Sequence, residues 1–186
     1  VYGVSAGSTL GNVAVNRITP RNDRELLIAT GGRGVYRMDV DSLVPKPYIT
    51  ADYASHNGMN GDNINDIYVD GGDRIWLANY PAGVTIRNNR YQSYEWFRHS
   101  PGNSRSLVND QVHDVIEDSE GDLWFATSNG ISLLQPAVGR WRSFLSRSDG
   151  IQDGGNHIFL TLCEVSPGVI CAGGYASGLY RIEKKT

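Results

Sequence analysis

The sequence predicts an all-β protein, a β-propeller of four four-stranded blades, and three observations carry that prediction. Glycine and proline together fill 29 of 186 positions (22 Gly and 7 Pro), above the ~12% of ordinary soluble chains, which marks many turns. Ten Tyr, four Trp and four Phe favour short strands over long helices. The third observation is an internal repeat with a period near 48 residues, the length of one four-stranded meander.

Each element of the repeat can be read in turn. An inner apolar strand lies at 15–19, 64–69, 112–117 and 158–165. A tight turn follows, such as Asp70-Gly71-Gly72-Asp73 or Ser119-Glu120-Gly121-Asp122. The second strand carries an alanine at 29, 78, 126 and 172, in steps of 49, 48 and 46. Trp76 and Trp124 precede two of these alanines and are placed to fill the space between neighbouring blades, where alanine allows close approach. Glycines at 34, 83, 130 and 178 open the third strand, which ends near Met38, Ile86, Leu134 and Ile182. A fourth strand follows in three units, at 47–49, 92–97 and 142–145. The units span about 12–49, 61–97, 109–145 and 156–186 of a single propeller segment covering 1–186. Residues 1–5 have the register of an outermost strand, and 1–4 could complete the last unit. The readings left open are a closed four-bladed ring and an arc of a larger propeller, whose bare end faces would favour association.

Charge and motifs exclude several functions. Seventeen basic and twenty acidic residues give a net charge of −3, which argues against a nucleic-acid partner. No apolar run reaches the ~20 residues of a membrane span, and no signal peptide pattern opens the chain, so direct membrane insertion of this segment is not expected. Gly31-Gly32-Arg33-Gly34 lacks the helix and Lys-Ser/Thr of a phosphate loop. His56, His99, His113 and His157 lack metal-site spacing, so no metal or cofactor is expected. The acidic cluster Glu117, Asp118, Glu120 and Asp122 lacks the ligand spacing of a calcium loop and reads as a solvated β-turn. With no nucleophile elbow, a catalytic role such as a propeller lyase or lactonase is not expected. Cys163 and Cys171 flank Ser166-Pro167-Gly168 symmetrically and should face each other across a hairpin, with two reduced thiols favoured over a strained disulfide.

The segment from Asn109 to Ile131, with Asp118, Gly121, Leu123-Trp124-Phe125-Ala126-Thr127 and Gly130, resembles the two-component regulator propeller repeat. The run from Ala172 to Ile182 is similar to blades in hybrid two-component sensors of Bacteroides-like bacteria. The resemblance implies a non-catalytic periplasmic sensor region, ahead of a membrane helix and a histidine kinase that lie outside this chain. It further implies detection of oligosaccharides.

In a propeller meander, the loops joining second and third strands share a rim with the long blade-to-blade connections. Here these are 31–33, 80–82, 128–129 and 174–177, and 51–62, 99–110 and 147–155. Long polar loops on a rigid scaffold are where binding is usually found. Sugars need planar hydrogen-bonding groups and aromatic faces, which makes Arg33, Asn79, Tyr80, Asn129, Tyr175, His56 and His99 the candidate ligand-binding residues. The expected partners are an oligosaccharide and either a second copy or neighbouring propellers. The alternative is a structural propeller that supports receptor dimerisation without a small molecule.

Overall fold

The computed structural model describes residues 10–52, 58–146 and 157–184. These residues form fifteen strands and no helix long and apolar enough to cross a membrane. Blade one holds Val15–Asn22 (β1), Glu25–Thr30 (β2), Val35–Asp39 (β3) and Pro45–Ile49 (β4). Blade two holds Ile64–Val69 (β5), Arg74–Asn79 (β6), Gly83–Asn88 (β7) and Ser93–Phe97 (β8). Blade three holds Val112–Glu117 (β9), Leu123–Thr127 (β10), Gly130–Gln135 (β11) and Arg140–Phe144 (β12). Blade four holds Phe159–Ser166 (β13), Val169–Gly174 (β14) and Gly178–Glu183 (β15). Each sheet is an antiparallel meander in chain order, so the predicted propeller blades are present. The fourth sheet has three strands among the described residues rather than four. The strand expected at 1–4 and the connection at 147–155 fall outside the described residues.

Alternation along each second strand decides how the blades stack. Ile75 and Leu77 of β6 join Leu27 and Ala29 in one apolar cluster, while Trp76 and Ala78 join Leu123 and Phe125 in the next. Trp124 and Ala126 then meet Leu162, Ile170 and Ala172 of blade four. Both tryptophans therefore fill inter-blade space, as the repeat predicts. Three seams join four blades, and among the described residues no such cluster lies between blades four and one. Ile18 and Leu179, which point away from the seams, are exposed.

Blade four corrects the sequence register. Thr127 pairs with Gly130 and Asn79 with Gly83, whereas Gly174 pairs with Gly178. Gly173 therefore occupies the place of Ala78 and Ala126. Ala172, expected at that place, stands where Leu77 and Phe125 stand, and faces blade three. Cys171 consequently takes the tryptophan position.

The first strands also lock neighbouring blades with polar bonds. Asn16 Nδ2 donates to Ile64 O at 2.8 Å, and Asn65 Nδ2 donates to Val112 O at 2.9 Å. Val115 N donates to Asp66 Oδ2 at 3.1 Å, and Leu162 N to Asp114 Oδ2 at 2.6 Å. A buried backbone N–H needs an acceptor, so each carboxylate satisfies the adjoining blade.

The glycines that open the third strands stitch the long connections down. Gly34 N and Gly83 N each donate at 2.8 Å, to Asp62 O and Asp110 O, and Gly130 N donates to His157 O at 2.7 Å. Gly83 has φ +81°, and a Cβ there would lie 2.3 Å from Phe97 O. Gly83→Ala is expected to cost about 2–3 kcal/mol in urea unfolding, from left-handed strain plus displacement of β8. A loss below ~0.5 kcal/mol would mean that this edge yields freely.

Candidate functional site at the loop rim

One hydrogen bond recurs in every blade and defines the rim. Gly31 N, Tyr80 N, Ser128 N and Tyr175 N donate to Ala14 O, Asn63 O, Gln111 O and Ile158 O at 2.8–3.0 Å. The four residues are thus equivalent, and Tyr80 and Tyr175 hold the same place in blades two and four. Arg33 and Asn129 lie on the equivalent loops. Arg33 is exposed, with Nη1 donating to Leu10 O at 3.0 Å. Asn129 is half-buried, and its N–H donates to Thr127 Oγ1 at 3.1 Å.

Asn79 is placed differently from these. It is fully buried, and its Nδ2 donates to Gly61 O at 2.9 Å. Thr30 and Thr127 occupy the matching sites, where each hydroxyl donates at 2.7 Å to the carbonyl of the glycine that opens the third strand. This position closes the loop from within, so Asn79 supports the rim and does not present its amide there. His56 lies outside the described residues.

His99 is exposed at the start of the second long connection. Its N–H donates to Asp110 Oδ1 at 2.5 Å, and Nδ1 lies 2.8 Å from Leu107 O. A carbonyl only accepts, so Nδ1 carries a proton and donates to Leu107 O. Beside it is a cavity of about 330 Å³ edged by Ser100, Asn103, Ser104, Ser106 and Ser143. Leu107 and Val108 line it as well, so serine hydroxyls and one amide sit beside apolar surface.

The sequence reading missed a polar cluster beside Tyr80. The ring of Tyr80 lies 6.0 Å from that of His113, whose Nε2 is 2.8 Å from Ser128 Oγ. Asn65 Nδ2 reaches His113 Nδ1 at 3.5 Å while bonding Val112 O. Burial holds His113 below the ordinary histidine range, so the ring is neutral at pH 7. With Nδ1 facing a donor, Nε2 carries the proton and donates to Ser128. The pair is therefore a hydrogen-bond relay and is not arranged as a base activating a serine. The sequence signal was the shared register of Asn65 and His113, each one residue before an inter-blade aspartate.

On the opposite rim, the acidic turn is a buried anchor and not the solvated turn expected. Asp118 Oδ1 accepts from Glu120 N and Asp122 N at 3.0 and 2.9 Å, and Oδ2 accepts from Trp124 Nε1 at 2.8 Å. Asp70 repeats the arrangement with Gly72 N, Arg74 N and Trp76 Nε1. Lys184 from blade four reaches Asp118, Glu120 and Asp122 at 2.9, 2.7 and 2.6 Å. Burial alone would raise Asp118, but the Trp124 indole and the Lys184 ammonium outweigh it and hold the carboxyl below its usual range. On the inner strands, burial and the neighbouring Asp114 carboxyl push Asp66 up to about 7. Among the described residues, no three His, Cys, Asp or Glu side chains gather as they would around a metal.

Fold and rim together define a β-propeller segment whose polar loops gather at one rim of the blades. Residues 106–129, which include β9 and β10 of the third blade, match the sequence profile of the two-component regulator propeller family. No curated protein sequence matches the chain. Among solved structures, the chain is similar to the extracellular domain of a putative hybrid two-component system from B. thetaiotaomicron. That match has TM-score 0.79 and 23% identity, covering 94% of this chain and 24% of the other. The extracellular domain of a putative one-component system from the same organism matches with TM-score 0.64 and 21% identity, over 91% and 21% of the two chains. The computationally designed Ika4 protein matches with TM-score 0.61 and 10% identity, over 99% and 100%. The chain thus spans about a quarter or less of the two bacterial domains, and at these identities the likeness concerns the fold.

Proposed function

We propose that this chain is a ligand-sensing propeller segment of an extracytoplasmic, periplasmic two-component receptor, which takes an oligosaccharide on the loop rim. The observation that carries this reading is the equivalence of Tyr80 and Tyr175, two aromatic faces at one place in alternate blades. Apolar C–H faces of a sugar stack on such rings, and Arg33, Asn129, Ser128 and the His99 cavity supply hydrogen-bonding groups around them. Binding that favours one packing of the propeller over another would pass the signal to a histidine kinase outside this chain, because only differential affinity shifts an equilibrium.

The test is calorimetry of the intact extracytoplasmic region against a broad oligosaccharide panel. Tyr80→Ala and Tyr175→Ala should each weaken the binding ligand about tenfold, the value of one aromatic contact, without altering circular dichroism. A panel without binding, together with unchanged signalling by both variants, would overturn the reading. A second reading is a dimerisation module that binds no small molecule, favoured by the exposed Ile18 and Leu179 on the outward blade faces. Under that reading both tyrosine variants signal normally, and changes at Ile18 or Leu179 alter the oligomeric state.

A further inference from the structure

In blades two and three the second strand is tied to its turn through tryptophan. Trp76 Nε1 donates to Asp70 Oδ2 at 2.9 Å, and Trp124 Nε1 to Asp118 Oδ2 at 2.8 Å. Blade four lacks both halves of this lock. Its turn is Ser166-Pro167-Gly168, without an aspartate, and Cys171 stands at the tryptophan position. Across the hairpin, Cys171 pairs directly with Cys163. Cys163 is exposed and Cys171 half-buried, and both are free thiols.

Directly paired residues of antiparallel strands share a face, with Cα atoms about 4.5–5.5 Å apart. That separation lies inside the range of about 4.4–6.8 Å that a disulfide spans. We propose that Cys163 and Cys171 form a redox-active dithiol, which closes to a cross-strand disulfide on meeting a disulfide oxidant. The covalent bridge then ties β13 to β14 where the other blades use tryptophan and aspartate. The step balances by thiol–disulfide exchange. The Cys163 thiolate attacks one sulfur of the oxidant, releases its other half as a thiolate and leaves a mixed disulfide. The Cys171 thiolate then attacks the Cys163 sulfur and expels the second half. Two protons leave the protein, and two electrons pass to the oxidant, which becomes two thiols.

This inference stands on strand register and is independent of any ligand at the rim. The purified chain is equilibrated with oxidised glutathione, quenched with iodoacetamide and cut after Glu164, between the two cysteines. The expected result is that neither cysteine is alkylated, that the two fragments stay joined until dithiothreitol is added, and that the intact chain is lighter by two hydrogens. The oxidised protein should also melt at a higher temperature than its reduced form, a comparison that needs no variant. Full alkylation of both cysteines, or only glutathione adducts and cross-linked dimers, would overturn the proposal, as would a lower melting temperature on oxidation. Cys163→Ser should leave Cys171 as a single alkylatable thiol.

Discussion

Lys184→Met will lower folding stability by about 3–5 kcal/mol at neutral pH, and the loss will fade in acid. The Lys184 side chain is 7% exposed, and it faces Asp118 at 0% and Asp122 at 10%. Removing the ammonium strands two buried carboxylates without their cation. Glu120 is 54% exposed and contributes little. The sign of the pH dependence follows from the two shifts. Asp118 titrates below its ordinary 3.8 in the folded protein, so its contribution is present above that value and disappears as pH falls through the folded one. Lys184 is held above its ordinary 10.5, because the three carboxylates outweigh burial, so its contribution persists up to that value and falls beyond it. Urea unfolding of both proteins should show a constant gap from about pH 5 to pH 10 that shrinks below about pH 4. A gap under 1 kcal/mol at neutrality, or one unchanged at pH 3, would refute the anchor.

Asp66→Asn should do the opposite and stabilise the protein above neutral pH. Asp66 is buried, and its Oδ1 makes no hydrogen bond, although Arg17 Nε lies 3.1 Å away. Burial and the Asp114 carboxyl raise the folded pKa from 3.8 to about 7. The folded state therefore holds a proton that the unfolded chain releases above pH 4. Stability falls between those two values and levels off above them, by about 4 kcal/mol in all. Asparagine keeps an acceptor for Val115 N and adds a donor toward Asp114. Arg17 loses its ion partner, but its side chain is 55% exposed, so that loss is small. The variant should show little pH dependence from pH 4 to 7 and exceed the native protein by about 2–3 kcal/mol at pH 8. A destabilised variant at pH 8 would show that the Arg17 pair outweighs the burial of the charge.

How much was legible can be judged residue by residue. The period near 48 identified the blades, and the glycines at 34, 83, 130 and 178 located each third strand, because turns impose local backbone demands that few residues meet. Opposed Cys163 and Cys171 were readable from hairpin symmetry. The placement of Ala172 was misread because residue type suggested a register that hydrogen bonding sets. Gly173 is small enough for the alanine site, and the loop between β10 and β11 is one residue shorter than its counterparts. Asn79 was expected to present its amide at the rim beside Tyr80, yet strand alternation turns it inward.

The sequence by itself determined the all-β class, the four repeated units, the inter-blade tryptophans and the rim on which the polar loops gather. These follow from patterns within a single unit, where alternation and turn chemistry act over a few residues. Only the tertiary structure decided the anchor of Lys184 on Asp118, the meeting of Asp66 with Asp114 and the His113–Ser128 relay beside Tyr80. Each depends on how one sheet lies against another or how the chain returns after tens of residues. Burial at those meetings turns charges that would be solvated in an isolated turn or strand into partners whose pKa and stability depend on one another.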